Sequence, residues 1–534
     1  MTQIKFRADI NAVEFPLLYE WASRTVIQNP ADQGQPPITT PQILYCQDVL
    51  PTQQGYKSVS YKDLIAAASP ANITFSNIFN VADAAQNKAL IGVTLDSHIY
   101  MLTAASPNWV DVTPGGWAGG DAVTVGNANG SWYLYLANKG CYLINVTGVV
   151  LTLTALTSIT AANIVGMSSS INYLLLYDAT TVYWSSTINP LDFTPSTITG
   201  AGSSVPFDEL GKIITIKQLN NGFCVYTTSN AVLASYSNNA VFPWVFRNAN
   251  NVAGIVSYKQ VNQAAGLGFH IALTSAGITQ ITPQGGDVIT PEITDFLAAK
   301  DIESFDQVNN LILDTDIDRT APLNSAIAII GARYIVVSYG ITGYTDAIVY
   351  DLALKRYGKL HVNHVCCFEI KTYVEGVISP YNDPAEIGQT YAAASPQTYN
   401  STAITLNNPP DVGRIFGFLQ ADGTVKLAYL NNLSSTDNAI LVLGKYQATR
   451  SNLLELEEID IELVPVENTG LQILVASSIN GKDLLPAQSA TLIERGIDIN
   501  RYAIRAVGKN HQIIFKGSFD LTMCEITATL GSRR

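Results

Sequence analysis

Two short stretches hold the residue types that metal or acid–base chemistry needs. HVNHVCC, His361 to Cys367, brings two histidines and two cysteines together. Imidazole and thiolate are the ligands of tetrahedral zinc. In an extended strand, residues two apart share a face. His364 and Cys366 then point one way, and His361, Val365 and Cys367 the other. The ligands are split, and no second Cys/His cluster completes a four-coordinate site. LEEIDIELVPVE, Leu456 to Glu467, sets Glu458, Asp460 and Glu462 on one strand face and Ile459, Ile461 and Leu463 on the other. Paired carboxylates do acid–base work on glycosides from opposite sides of a cleft. Three on one strand repel each other, so the stretch reads first as a solvated outer face. An acidic wall along a DNA channel is a further reading. Calcium would lack a loop of EF-hand type.

Other signatures are missing. The sequence has no GxxxxGK[ST], no strand-linked GxGxxG, no GxSxG elbow and no repeated S-x-D-x-G-x-T-W turn. No nucleophile, base and oxyanion group converge. The reading is of a non-enzyme with no catalytic residue, no cofactor and no metal.

The elements around these stretches say more. The chain has 534 residues, 47% hydrophobic and only 14% charged, with a net charge of −13. Charged residues usually make up about a quarter. Thr, Ser, Asn, Gly and Tyr take the polar positions, as in β-structure or in a surface largely covered by other subunits. The acidic balance opposes phosphate-gripping DNA recognition, but permits DNA to pass without adhering. Six scattered cysteines without CxxC spacing read as reduced core residues from a chain folded in a cytosol. The start, MTQIKFRADINAVEF, carries charge where a secretion signal needs an apolar centre. Asn145 to Tyr177 is uncharged, yet VVLTLTALTSIT alternates with period two and reads as strand, so no membrane span is expected.

An apolar run, a polar turn and a second apolar run recur. The units are IGVTLDSHIYML from Ile91, WYLYLANKGCYLI from Trp132, YLLLYDATTVYW from Tyr173 and FCVYTTSNAVLASY from Phe223. FHIALTSAGITQIT from Phe269, YIVVSYGITGYTDAIVYDL from Tyr334 and RIFGFLQADGTVKLAYL from Arg414 continue the series. Each reads as a β-hairpin with turn chemistry between its strands. The starts lie roughly 40–50 residues apart, the period of a propeller blade, with two longer intervals late. The expectation is an all-β fold: a β-propeller of six or seven blades over residues 45–435, an extended Pro-containing N-terminal arm over 1–44, and a C-terminal β-sandwich over 436–534. Sandwich strands are expected at LEEIDIELVPV, GLQILVASS, RYAIRAVG, HQIIFKG and LTMCEITATL, with a type I′ hairpin at Asn480-Gly481. Tyr61 to Ala68 and Pro291 to Lys300 read as short helices.

VYWSSTINPLDFTPS, Val182 to Ser196, is then the end of a blade hairpin and the loop after it. Tyr183 and Trp184 face opposite ways. Trp184 reads as a wedge between blades. Pro190 and Pro195 stiffen the loop, and Phe193 pins it.

Several of these stretches resemble tail hub or nozzle proteins of short-tailed bacteriophages. YCQDVLPTQQGYKSVSY resembles their opening segment through Val49, Leu50, Pro51, Thr52, Gly55, Tyr56 and Ser58. The Val182 stretch resembles a recurring element through Val182, Tyr183, Trp184, Ser185, Pro190, Phe193 and Pro195. FRNANNVAGIVS from Phe246 and VYDLALKRYGKL from Val349 follow in the same order, as do GKYQATRSN near Gly444, SSINGK near Ser477 and the GSRR tail. The resemblance spans most of the chain. It implies a structural virion protein that self-associates into a ring, a homohexamer, below an adaptor (head-to-tail connector) joined to the portal. It also implies tail fibre or tailspike and needle or plug proteins as partners, and double-stranded DNA passing during ejection. Length departs from the pattern between Gly331 and Arg414. The rival reading is a receptor- or carbohydrate-binding propeller that stacks sugars on Trp184 or Trp244.

Overall fold

The computed structural model describes residues 3–10, 15, 26–27, 42–64, 74–115, 123–298, 301–316, 325–369, 416–429, 438–447, 453–463, 470–495 and 499–530, apart from a few positions inside these stretches. Each hairpin read from the sequence forms the second and third strands of a four-stranded antiparallel blade. Six such sheets, plus four strands of a larger eleven-stranded sheet, make seven blades. The first five run in chain order: Phe75–Asp111, Val123–Thr154, Gly166–Ser203, Ile213–Asn248 and Val261–Thr290. Blade 6 runs from Ala326 to His364. Blade 7 takes Cys366–Glu369, Phe416–Leu419 and Val425–Tyr429, and its outermost strand is Ser60–Leu64 from far up the chain.

The cycle is closed by its cores. One apolar cluster fills each blade boundary. Ile91 packs with Leu134 between blades 1 and 2, Tyr135 with Leu176 between 2 and 3, and Leu175 with Val225 between 3 and 4. Cys224 packs with Ala272 between 4 and 5, Leu273 with Ile335 between 5 and 6, and Val336 with Phe416 between 6 and 7. The last joins Phe368 and Leu427 of blade 7 to Phe75 and Trp109 of blade 1. Both faces of every sheet are thus buried by neighbours, which a lone amphipathic sheet cannot achieve.

Ser60–Leu64 corrects one expectation. YKDLIAAA reads as a helix start, yet Ser60–Leu64 pairs antiparallel with Val425–Tyr429, Tyr61 opposite Ala428. The local pattern lost to a ladder that completes the last blade. Residues 65–68 lie outside the described ones. The second helix forms over Glu292–Ala298 and buries Ile293 and Leu297 against blades 5 and 6.

The sandwich has two sheets. One holds Gln3–Asp9, Asp520–Leu530, Leu454–Leu463, Ile499–Gly508 and Thr491–Arg495; the other holds Gln42–Gln47, Ile440–Gln447, Asn510–Lys516, Gln472–Ser478 and Gln488–Ser489. Phe6, Ile43, Leu443, Ile459, Ile461, Phe515 and Ile526 meet between them. The N-terminal residues are therefore not only an arm. Gln3–Asp9 pairs along its whole length with Asp520–Leu530, and Gln42–Gln47 pairs with Ile440–Gln447. The alternation in QIKFRAD already has the right period. The prolines at 30, 36, 37 and 41 lie outside the described residues. The hairpin turn expected at Asn480-Gly481 falls partly outside the described residues, since Gly481 is not among them. The strand ending at Ser478 pairs next with Gln488–Ser489 across a longer loop.

The six cysteines are all free, five buried and Cys366 half-buried. No helix among the described residues is long and apolar enough to cross a membrane.

Candidate functional site

A hairpin joins the two domains, and charged groups are buried at the seam. Val49–Pro51 and Tyr56–Ser58 form the hairpin around a turn closed by Thr52 and Gly55. One edge meets blade 6, Val49 opposite Lys359. The other meets the sandwich, Tyr56 opposite Leu521. Blade 6, hairpin and sandwich thus share a continuous sheet. Period-two alternation divides the hairpin between two cores: Val49 enters the sandwich core and Leu50 the core between blades 6 and 7. The backbones come too close for side chains at two glycines. A Cβ at Gly55 would lie 1.9 Å from the Leu521 carbonyl oxygen, and one at Gly358 would lie 2.4 Å from that of Val49.

Three elements bring ionisable groups to this seam. Lys359 Nζ lies 3.3 Å from Asp346 Oδ1 and 5.4 Å from the Tyr45 ring centre. His361 Nδ1 is 3.0 Å from the same Asp346 oxygen. Asp48, at positive φ, accepts from the His361 N–H at 2.7 Å and from the Tyr61 hydroxyl at 2.5 Å. Burial works against the Asp346 carboxylate. The Lys359 charge and the His361 hydrogen bond outweigh it and hold the carboxyl well below the usual range. Burial also opposes the Lys359 charge, but Tyr339, Asp346 and Tyr45 leave its pKa raised. The hydrogen bond to Asp346 raises His361. Asp48 goes the other way, pushed up by burial. Blade 6, the hairpin and the closing strand of blade 7 are locked together here. Motif reading found Leu50, Pro51 and Gly55 but missed Asp48, Asp346 and Lys359, which meet only through long-range pairing.

The bore of the propeller is bridged at one mouth. Tyr258–Gln260 is a 3₁₀ turn leading into the innermost strand of blade 5. Lys259 Nζ donates to the Ser76 carbonyl at 2.9 Å, and the Tyr258 hydroxyl accepts from Asn77 Nδ2 at 3.2 Å. Ser76 and Asn77 lie on the innermost strand of blade 1. Blades 5 and 1 are not neighbours in a cycle of seven, so these bonds cross the bore. Ser257 and Gln260 form a capping box that fixes the turn. Their spacing in SYKQ was the available sequence signal. Lys259→Ala is expected to cost about 1.5–3 kcal/mol, the range for a hydrogen bond from a charged donor, read from the shift in urea midpoint. An unchanged midpoint would mean that the bridge does not stabilise the cycle.

The stretches singled out by chemistry fall elsewhere. His361 and His364 end blade 6, whereas Cys366 and Cys367 begin blade 7. The strand breaks at Val365, so the expected alternation does not run through all seven residues. His364 is buried, bonded through Nε2 to Ser338 at 2.8 Å, and burial lowers its pKa to about 4. Among the described residues no three His, Cys, Asp or Glu are placed to hold a metal. Asp460 lies on the outer face, opposite Ile459 and Ile461 of the sandwich core. It is itself buried and paired with Arg501 Nε at 2.8 Å; the same guanidinium reaches Glu494 through Nη1 at 3.4 Å and Glu458 through Nε at 3.8 Å. Neighbouring Glu525 is paired with Lys5 at 2.7 Å. This row is charge-compensated, not a bare acidic wall.

Trp184 and Phe193 sit on opposite sides of blade 3. Trp184 enters the core shared with blade 4 and Phe193 the core shared with blade 2. Tyr183 faces the blade 2 side. Side-chain oxygens of Ser186, Asn189, Asp192 and Ser196 accept from backbone N–H groups along the loop that follows Trp184. Trp244 is also buried, between blades 3 and 4.

No protein-family model matches the chain, and no curated protein matches it. Two solved structures to which it is similar are a chain of "Crystal Structure of Mitotic Checkpoint Complex" and a chain of "YCF48 bound to D1 peptide". The first has 9% identity over 70% of this chain and 95% of its own, with a TM-score of 0.35. The second has 6% identity over 70% and 97%, with a TM-score of 0.37. At these scores neither carries an argument about function, and the propeller rests on its own cycle of seven cores.

Proposed function

We propose that the chain is a structural virion protein of a short-tailed phage, a tail nozzle or hub. It assembles into a homohexameric ring below an adaptor and lines the path of the ejected genome. The observation that carries this reading is the order of the matching motifs along the chain. Each falls on an element with a structural task. VLPTQQGYKS is the hairpin joining propeller to sandwich. VYWSSTINPLDFTP is the loop between the outer strands of blade 3. FRNANNVAGIVS leads from blade 4 to the bore-bridging turn, and VYDLALKRYGKL is the outer hairpin of blade 6. Low charge and exposed apolar side chains such as Ile198 and Phe242 suit a surface covered by subunits. Tyr258 and Lys259 bridge the bore of a single copy, so this reading puts the DNA along the axis of the ring, between copies. Adaptor, fibre or tailspike, and needle or plug proteins would be its contacts. The rival, sugar stacking on Trp184 or Trp244, needs exposed ring faces, and both rings are buried.

Imaging and native mass measurement of the purified chain test the reading. Six-fold rings are expected, and the same ring at the distal end of a tail. A stable monomer with no ring in the virion would sink it.

A further inference from the structure

Outer blade strands are sheet edges, and edges invite pairing with other chains unless they are blunted. Six of the seven outer strands carry a blunting device. In blade 1, Ser106–Asp111 holds Pro107 and a register break. In blade 3 the strand is only the pair Gly202–Ser203. Blade 4 carries Arg247. Blade 5 has Asp287 and a register break between Val288 and Thr290. Blade 6 is covered by the hairpin at Val49, and blade 7 ends on Lys62 and Asp63.

Blade 2 has none. Its outer strand, Val150–Thr154 (VLTLT), pairs with Gly140–Asn145 in unbroken register and carries no charge, proline or glycine. It lies inside the uncharged run from Asn145 to Tyr177. Val150 is 44% exposed and Leu153 63% exposed. Among the described residues nothing pairs with its outer edge.

We infer that Val150–Thr154 is a self-association edge, pairing antiparallel with the same strand of a second copy. Two features select that occupant. Each copy carries a net charge of −13, so close approach is least costly where neither contributes a charge. The sequence also complements itself about Thr152: Val150 falls opposite Thr154, and Leu151 opposite Leu153. Opposed residues share a face, so each exposed Leu153 falls beside the Leu151 of the other copy, which is itself anchored in the core between blades 1 and 2. Five residues at about 3.4 Å each make a short contact. It is weak alone and is strengthened wherever several copies are already held together. A two-fold contact does not close a six-membered ring. The inference therefore stands apart from the ring proposal, joining chains or rings in pairs.

Sedimentation velocity over a concentration series tests it, with wild type beside Thr152→Lys. Thr152 is exposed and a lysine is tolerated on an edge strand. Wild type should show a doubled species, of chains or of rings, that grows with concentration. Thr152→Lys should abolish the doubling while leaving the melting temperature and any six-fold ring unchanged. Leu153→Glu, also exposed, should do the same and serves if the first variant misfolds. Doubling that persists in folded variants, or wild type that never doubles, would overturn the inference. Loss of the six-fold ring in wild type would count against the ring proposal alone.

Discussion

Trp184→Ala is expected to destabilise the propeller by about 3–5 kcal/mol, the range for truncating a buried aromatic. The indole is 7% exposed and lies between blades 3 and 4 with Leu175, Val225, Trp244 and Phe246 around it. Its cross-strand partner is Gly202. A Cβ at Gly202 would sit 3.1 Å from the ring, so the glycine makes room for the indole. Its Nε1 donates to the Gly200 carbonyl at 2.8 Å, closing the long loop back onto the strand. Truncation leaves a cavity, an unpaired carbonyl and a loop without its anchor. Tyr183→Phe is the control. It removes the hydrogen bond to the Asp178 carboxylate at 2.8 Å without opening a cavity, and should cost about 1.5–3 kcal/mol, the range for a hydrogen bond to a charged group. Guanidinium unfolding followed by near-ultraviolet dichroism reads both. If Trp184→Ala left the transition unmoved but abolished binding of a partner, the tryptophan would be a contact and not a wedge.

That wedge was legible because it is local. Alternation assigned Tyr183 and Trp184 to opposite faces, and proline and hydroxyl chemistry marked the loop. All seven inner hairpins were legible for the same reason: each carries its own turn. What the sequence hid was non-local. Ser60–Leu64 belongs to a blade whose other strands lie more than 300 residues away, and YKDLIAAA has a helical composition of its own. Gln3–Asp9 alternates well enough for a strand, yet nothing local says that its partner is the last strand of the chain. The acidic face of Leu454–Leu463 was read with the right period. Its neutralising cations, Arg501 and Lys5, come from other strands, so an ion-paired row looked like bare charge.

The seam gives the other large effect. Asp346→Ala is expected to cost about 3–5 kcal/mol, because deleting one partner strands a buried charge. Lys359 is 9% exposed and, once the carboxylate goes, is left against the Tyr45 ring face without its counter-charge. Lys359→Met in the same chain should restore part of the loss, since the apolar replacement needs no counter-charge. The pH dependence has a definite sign. Asp346 is depressed in the folded state, so its contribution is present above the unfolded carboxyl value, about 4. It fades as pH falls toward the folded value. His361 is raised, so its contribution is complete below about 6.5 and fades as pH rises through the folded value. His361 is half-exposed, and solvent screening keeps its share small. The gap between wild type and Asp346→Ala should therefore be widest between roughly pH 4 and 6.5. Above that window it should narrow slightly, because the Lys359 pair remains. Urea midpoints across pH 3–9 measure the gap. A gap flat from pH 3 upward would mean that Asp346 holds the seam by shape and not by charge.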